Sequence, residues 1–141
     1  MASKPRSSGD SSLVRQVIKT DAAPAAVGPY AQGVSANGFV FSAGQLPIDP
    51  SSGTIPATVA GQTKQSLDNV AAVLAAGGAT MNTVVKTTVF LKNMNDFSAM
   101  NAVYEKYFEA GNAPARSTVE VARLPRDVLV EIEAIALVEK A

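Results

Sequence analysis

The chain has 141 residues, 47% of them hydrophobic and 17% charged, a size and balance that build one core and leave little room for two independent domains. Twelve Lys and Arg offset twelve Asp and Glu, so no net positive field is available to hold nucleic acid or an anionic membrane by charge alone. Cys and His are absent, which excludes disulfides, thiolate nucleophiles, zinc sites of sulfur or imidazole, and every triad with His as base.

The leader Met1 to Ser12 is rich in Ser and poor in apolar residues. It is expected to carry little fixed structure, as a plain tail or a trimmed targeting remnant, ahead of a single domain over 13–141. No run approaches the roughly eighteen apolar residues that span a bilayer, and the leader lacks the apolar core of a secretory signal. A soluble, cytoplasmic protein is expected, with an organelle such as a plastid or mitochondrion as the alternative.

Val14 to Lys19 is a β-type run, and Ala22 to Tyr30, broken by Pro24, Gly28 and Pro29, reads as a loop. Phe39 to Ala43 is a second apolar strand, ending at Gly44, and Leu46 to Pro56 has the composition of turns. From Thr58 the spacing turns helical: Val59, Leu67, Val70, Val73 and Leu74 form one stripe, and Gly77-Gly78 supplies the stop. Val84 to Leu91 is rich in β-branched residues and alternates Val85, Thr87, Val89 and Leu91 against Lys86, Thr88 and Phe90. A second helix, capped near Asn95 or Asp96, carries Phe97, Met100, Val103, Tyr104, Tyr107 and Phe108 and is expected to end near Gly111. Two strands follow, Arg116 to Ala122 and Leu129 to Val138, separated by the turn Leu124-Pro125-Arg126-Asp127.

This order argues for an α+β domain with a mixed sheet and two helices packed on one face. In the last strand Val130, Ile132, Ala134 and Ala136 share one face, and Glu131, Glu133, Ile135 and Leu137 the other. Both faces carry large apolar residues and two helices cover only one, so the second is expected to pack against another subunit.

With Cys and His absent, chemistry falls to Arg, Lys, Tyr, Ser, Thr, carboxylates and backbone. Arg116 opens a strand, and its planar, always charged fork matches a carboxylate in two parallel hydrogen bonds. Judged on spacing alone, a surface pair with Glu120 is the commoner outcome. Glu131 and Glu133 share a strand face and can orient a water or move a proton, although pairing with Arg123, Arg126 or Lys86 is the ordinary explanation. Tyr30 can reach over a pocket, or simply pack. Gly44 permits close backbone approach, or a bulge, and Asn101 can cap a loop as easily as touch a ligand. No phosphate-cradling Gly pattern, dinucleotide fingerprint, metal-ligand spacing or basic run interleaved with aromatics is found, so neither metal, cofactor nor nucleic acid is expected.

The stretch Pro114-Ala115-Arg116-Ser117-Thr118-Val119-Glu120-Val121-Ala122-Arg123-Leu124-Pro125, followed by Val130-Glu131-Ile132-Glu133-Ala134-Ile135-Ala136, closely resembles the C-terminal signature of the YjgF/Rid family. Ala23 to Tyr30, Ser42-Ala43-Gly44-Gln45, Gln65 to Val70 and Val85 to Leu91 match in register, so the resemblance spans about residues 14 to 138. It implies a chorismate-mutase-like fold, a homotrimer with ligand clefts between subunits, and hydrolysis of 2-aminoacrylate, 2-iminopropanoate and 2-iminobutanoate to 2-keto acids and ammonia. Such an activity removes enamines that would damage other enzymes. By position, the resemblance makes Arg116 the carboxylate receptor, Glu131 the water-positioning glutamate and Tyr30 the pocket tyrosine. Gly44 becomes the backbone contact, and Asn101 an asparagine close to the pocket. Thr118 stands where some relatives carry Cys, which implies that a thiol there is dispensable. The rival readings are an RNA-cleaving translation inhibitor and a non-catalytic trimer that binds small ligands.

Overall fold

The computed structural model describes residues 14–139, so the leader expected over 1–12 lies outside the described residues. Six strands form one sheet: β1 (Gln16–Ile18), β2 (Gly33–Ala36), β3 (Phe39–Ser42), β4 (Val84–Leu91), β5 (Ala115–Glu120) and β6 (Val130–Leu137), in the spatial order β1-β2-β3-β6-β4-β5. The sheet is mixed, as expected: β4 and β5 run parallel, and every other neighbouring pair is antiparallel. Two helices, α1 (Val59–Ala76) and α2 (Phe97–Tyr104), complete the α+β architecture.

α1 starts where the Thr58 hydroxyl accepts the Gly61 N–H at 3.0 Å. It stops at Gly78, whose φ of 88° is a left-handed conformation that costs glycine little. The Gly78 and Ala79 amides then donate back to the carbonyls of Ala75 and Leu74. The stripe read in the sequence is the inner face, with Leu67, Val70, Val73 and Leu74 fully buried against Val40, Val89, Ile132, Ala134 and Ala136.

Three expectations are corrected. The sequence pattern assigns no element to residues 33–36, yet they form β2, hairpinned to β3 through Asn37-Gly38, both at positive φ as a two-residue primed turn demands. The second helix ends at Tyr104 rather than near Gly111. There the chain tightens into i→i+3 bonds from Lys106 to Val103 and from Tyr107 to Tyr104, which keep Phe108 buried against the Tyr104 ring. Finally, Val85 is exposed, because a register shift between Val84 and Lys86 turns Val84 inward in its place.

β6 alternates as read: Val130, Ile132, Ala134 and Ala136 are buried under the helices, and Glu131, Glu133 and Ile135 are only half-buried on the other face. That second face carries the exposed apolar side chains Phe41, Val85 and Leu137. No helix of the described residues is long and apolar enough to cross a membrane.

Candidate active site

Three of the residues singled out in the sequence line one cavity of about 590 Å³: Tyr30, Gly44 and Glu131, with Pro24, Leu46 and Arg126 among its other walls. Each is placed by a different element. Glu131 projects from the face of β6 that the helices do not cover. Gly44 follows β3 in an extension that bridges to β6, where the Gln45 amide donates to the Ile132 carbonyl at 2.7 Å. The chain beyond is tied to α1 by two buried polar side chains. Ser66 Oγ donates to the Gln45 carbonyl at 2.9 Å, and Asn69 Nδ2 donates to the Leu46 and Ile48 carbonyls at 2.9 and 3.0 Å. A helix face that reads as polar in sequence is thus the buried support of the cavity wall.

The loop carrying Tyr30 is organised by Gln32, a buried residue that sequence reading missed. Its Nε2 donates to the carbonyls of Thr20, Ala23 and Pro24, and its Oε1 accepts the Thr20 amide at 2.7 Å. A buried amide that meets four backbone groups fixes a loop as a short piece of sheet would. The Tyr30 hydroxyl accepts the Val27 amide at 3.2 Å, which leaves its own proton free to donate.

Gly44 and Glu131 are in close approach. A Cβ built at Gly44 would overlap the Glu131 carboxylate, reaching Cδ at 2.9 Å and Cγ at 3.1 Å, so only glycine leaves the carboxylate where it stands. Burial, and secondarily the negative charge of Glu133, raise the Glu131 carboxyl above the usual carboxylate range. None of the alternative cations neutralises it. Arg123 is bound to Asp127 through Nε at 2.7 Å and Nη2 at 3.2 Å, Lys86 Nζ donates to Ser117 Oγ at 2.9 Å, and Arg126 has no ion pair among the described residues.

Arg116 lies elsewhere. It pairs in register with Thr87, which pairs with Ala134, so it emerges on the helix-covered face of the sheet, opposite to Glu131. Its Nη1 donates to Asn101 Oδ1 on α2 at 2.6 Å. Its Cζ sits 4.6 Å from the centroid of the Tyr104 ring and 5.4 Å from that of Phe97. Tyr104 is held in turn by a 2.7 Å hydrogen bond to Thr87. The expected pair with Glu120 does not form; Glu120 instead accepts the Met94 amide at 2.7 Å. Arg116 is therefore oriented by a neutral amide and two aromatic faces, and no carboxylate among the described residues cancels its charge. Two strand positions on, the Thr118 hydroxyl is buried without a hydrogen-bond partner.

Within the chain the candidate residues thus fall into two groups, Tyr30-Gly44-Glu131 and Arg116-Asn101. The first offers a half-buried base beside a phenol and backbone; the second offers a fixed cation for a small anion.

The chain is 54% identical, over 124 residues, to the 2-iminobutanoate/2-iminopropanoate deaminase of Escherichia coli, with 86% of this chain and 97% of that protein covered. Among solved structures, the YjgF gene product of E. coli matches with a TM-score of 0.83 and 53% identity over 88% of this chain and 99% of that one. E. coli TdcF with bound serine matches with a TM-score of 0.82 and 48% identity, covering 86% of this chain and 98% of that one. The family model described as endoribonuclease L-PSP matches residues 20–138, and the chain belongs to this YjgF/Rid family.

Proposed function

We propose that the chain hydrolyses small 2-imino acids and their 2-enamino tautomers to 2-keto acids and ammonia, as a homotrimer whose sites lie between subunits. The observation that carries this reading is the Arg116 guanidinium, half-buried, fixed by Asn101, Tyr104 and Phe97, and left with its charge uncancelled. Such a group costs free energy to hold unless a ligand anion meets it. The name of the E. coli relative supports the reaction class, and the serine bound to TdcF is a small α-amino acid of the right size. The exposed apolar face of the sheet supports a second copy as the source of the missing half, because Arg116 and Glu131 point from opposite faces of one sheet.

In this mechanism Arg116 of one subunit holds the substrate carboxylate, and the imine carbon faces the Glu131 cavity of its neighbour. Glu131 takes a proton from water as the water oxygen bonds to the imine carbon and the C=N electron pair moves to nitrogen. Glu131 returns that proton to nitrogen, and the new hydroxyl then gives its own proton to Glu131 as the C=O bond forms and the C–N bond breaks, so that ammonia and a 2-keto acid leave. Tyr30, with its proton free, steadies the developing oxygen or nitrogen centre. An iminium carbon is already a good electrophile, so orientation and proton transfer are sufficient. The cytoplasm is the compartment proposed.

The test couples a purified serine/threonine dehydratase to this protein and follows 2-keto acid release. Wild type should accelerate it, and Arg116→Ala should lower kcat/KM about 100-fold or more, the loss expected when one partner of a charge-assisted pair is removed. If wild type gives no acceleration, the deaminase reading is abandoned for a ligand-binding trimer. A second reading, RNA cleavage, is favoured by the description of the family model. RNA cleavage that survives Arg116→Ala and declines steeply with salt would establish it instead.

A further inference from the structure

The cation that shares a cavity with Glu131 inside one subunit is not Arg116 but Arg126, and its setting is specific. Arg126 (φ 59°, ψ 16°) and Asp127 (φ 56°) are consecutive non-glycine residues in the left-handed region, which ordinary L side chains avoid. The turn is held there from both sides. Leu124 and Val128 are buried at its ends, the Asp127 amide donates to the Leu124 carbonyl at 3.0 Å, and the Asp127 carboxylate takes the fork of Arg123. Strain that persists because its surroundings over-determine it marks a functional position more often than chance would give. The arrangement cancels Asp127 with Arg123 and leaves Arg126 without a hydrogen-bond or ion-pair partner among the described residues.

The rest of the cavity constrains what Arg126 meets. Ala25, Val27, Leu46 and Ile48 give it apolar walls, and Glu131 is its one carboxylate among the described residues. At about 590 Å³ the cavity is roomier than a three- or four-carbon acid fills. In the deaminase reading the α-carboxylate is already held by Arg116 and the reacting carbon lies at Glu131, so what extends further into this space is the substrate side chain.

We propose that Arg126 is a second anion receptor of the site, one that takes the distal carboxylate of dicarboxylic 2-imino acids and so widens the substrate range beyond small aliphatic imines. This inference rests on the deaminase reading for its substrate, but on the cavity and the turn for its residue.

The experiment compares 2-iminoglutarate with 2-iminobutanoate, each generated in place by an amino-acid oxidase with the peroxide removed, for wild type, Arg126→Asn, Arg126→Gly and Arg126→Lys. Asn and Gly tolerate the left-handed backbone, so they remove the charge without adding strain. The ratio of kcat/KM for the dicarboxylic over the monocarboxylic imine should fall about tenfold in the Asn and Gly variants and survive largely in the Lys variant. An unchanged ratio, a wild type that does not act on 2-iminoglutarate, or an equal loss on both substrates overturns the proposal, the last by making the turn a shape determinant only. If wild type hydrolyses neither imine, the deaminase reading fails by itself, and calorimetric binding of 2-oxoglutarate against 2-oxobutanoate still decides Arg126. A preference for 2-oxoglutarate lost in Arg126→Asn upholds the receptor, and equal binding sinks it.

Discussion

Gly44→Ala separates the position of the Glu131 carboxylate from the stability of the fold. The backbone at Gly44 is not in the left-handed region, so alanine adds no conformational strain there. What it adds is a methyl that meets Glu131 Cδ at 2.9 Å and Cγ at 3.1 Å, so the whole carboxylate must retreat. The obstacle is the end of a flexible side chain, which can turn away at a cost of about 1 kcal/mol for an unfavourable rotamer. For a domain of this size that is a loss of about 3 to 4 °C in Tm. The candidate base, however, is displaced by about 1 Å or more, and a misplacement of that order costs about 100-fold in rate. The dehydratase-coupled assay should therefore show kcat/KM about 100-fold down in a protein that melts almost normally. Adding Glu131→Asp, which withdraws the carboxylate by one methylene, should recover part of that loss despite being harmful alone. Activity of Gly44→Ala within threefold of wild type would refute the reasoning, because the carboxylate would then work equally well from elsewhere.

Further outcomes follow from the same geometry. Arg116→Ala and Glu131→Gln subunits, each inactive alone, should regain activity when unfolded together and refolded at 1:1, reaching about one quarter of wild type if each site joins one residue from each of two neighbours by random assortment; a mixture that stays inactive refutes the shared site. The acid limb of the kcat/KM profile should have its midpoint above the usual carboxylate range, and Glu133→Gln, by removing the repelling charge, should move it down. The linkage has a definite sign: a carboxyl raised in the fold contributes stability below its unfolded value that is lost as pH rises through the folded one. Glu131→Gln should thus raise Tm at pH 7 while abolishing turnover, and the gain should vanish in acid, as melting curves across pH will tell. Asn69→Ala strips the donors from two part-buried carbonyls, at about 1 to 3 kcal/mol, and should lower Tm by about 3 to 12 °C in calorimetry.

The parts of this fold that were legible in the sequence are those whose signal is local and periodic. The α1 stripe of Leu67, Val70, Val73 and Leu74 and the alternation of β6 predict their buried faces because helix and strand periods are written residue by residue. β2 escaped because Gly33, Ser35 and Ala36 carry no large apolar pattern; its one local mark was the Asn37-Gly38 turn, which sets a hairpin through backbone conformation rather than hydropathy. The end of α2 was misjudged because Tyr107 and Phe108 keep the helical spacing while the backbone has already tightened.

The site divides in the same way. Tyr30, Gly44 and Glu131 were each nameable from residue type and motif, and they do share one cavity. That Arg116 would be taken up by Asn101 and Tyr104 rather than Glu120 depended on a parallel pairing of β5 with β4 and on α2 crossing above, none of which spacing records. Gln32, Ser66 and Asn69 looked like ordinary polar residues, since nothing local says that a polar side chain will be buried against a loop distant in sequence. Arg126 was legible only as part of a turn.

The sheet order carries a consequence for how the protein comes into being. β6, last of the described strands in the chain, lies between β3 and β4 in the middle of the sheet. Until it is synthesised, the β1-β2-β3 unit and the β4-α2-β5 unit have no strand to join them, and α1 has no complete sheet to cover. The apolar faces of both units stay open to water for most of translation, the period when chaperones find their clients. Because Glu131 sits on that closing strand, the chain acquires its candidate base in the same event that completes its core, so a nascent or C-terminally clipped chain has neither a finished fold nor a finished site.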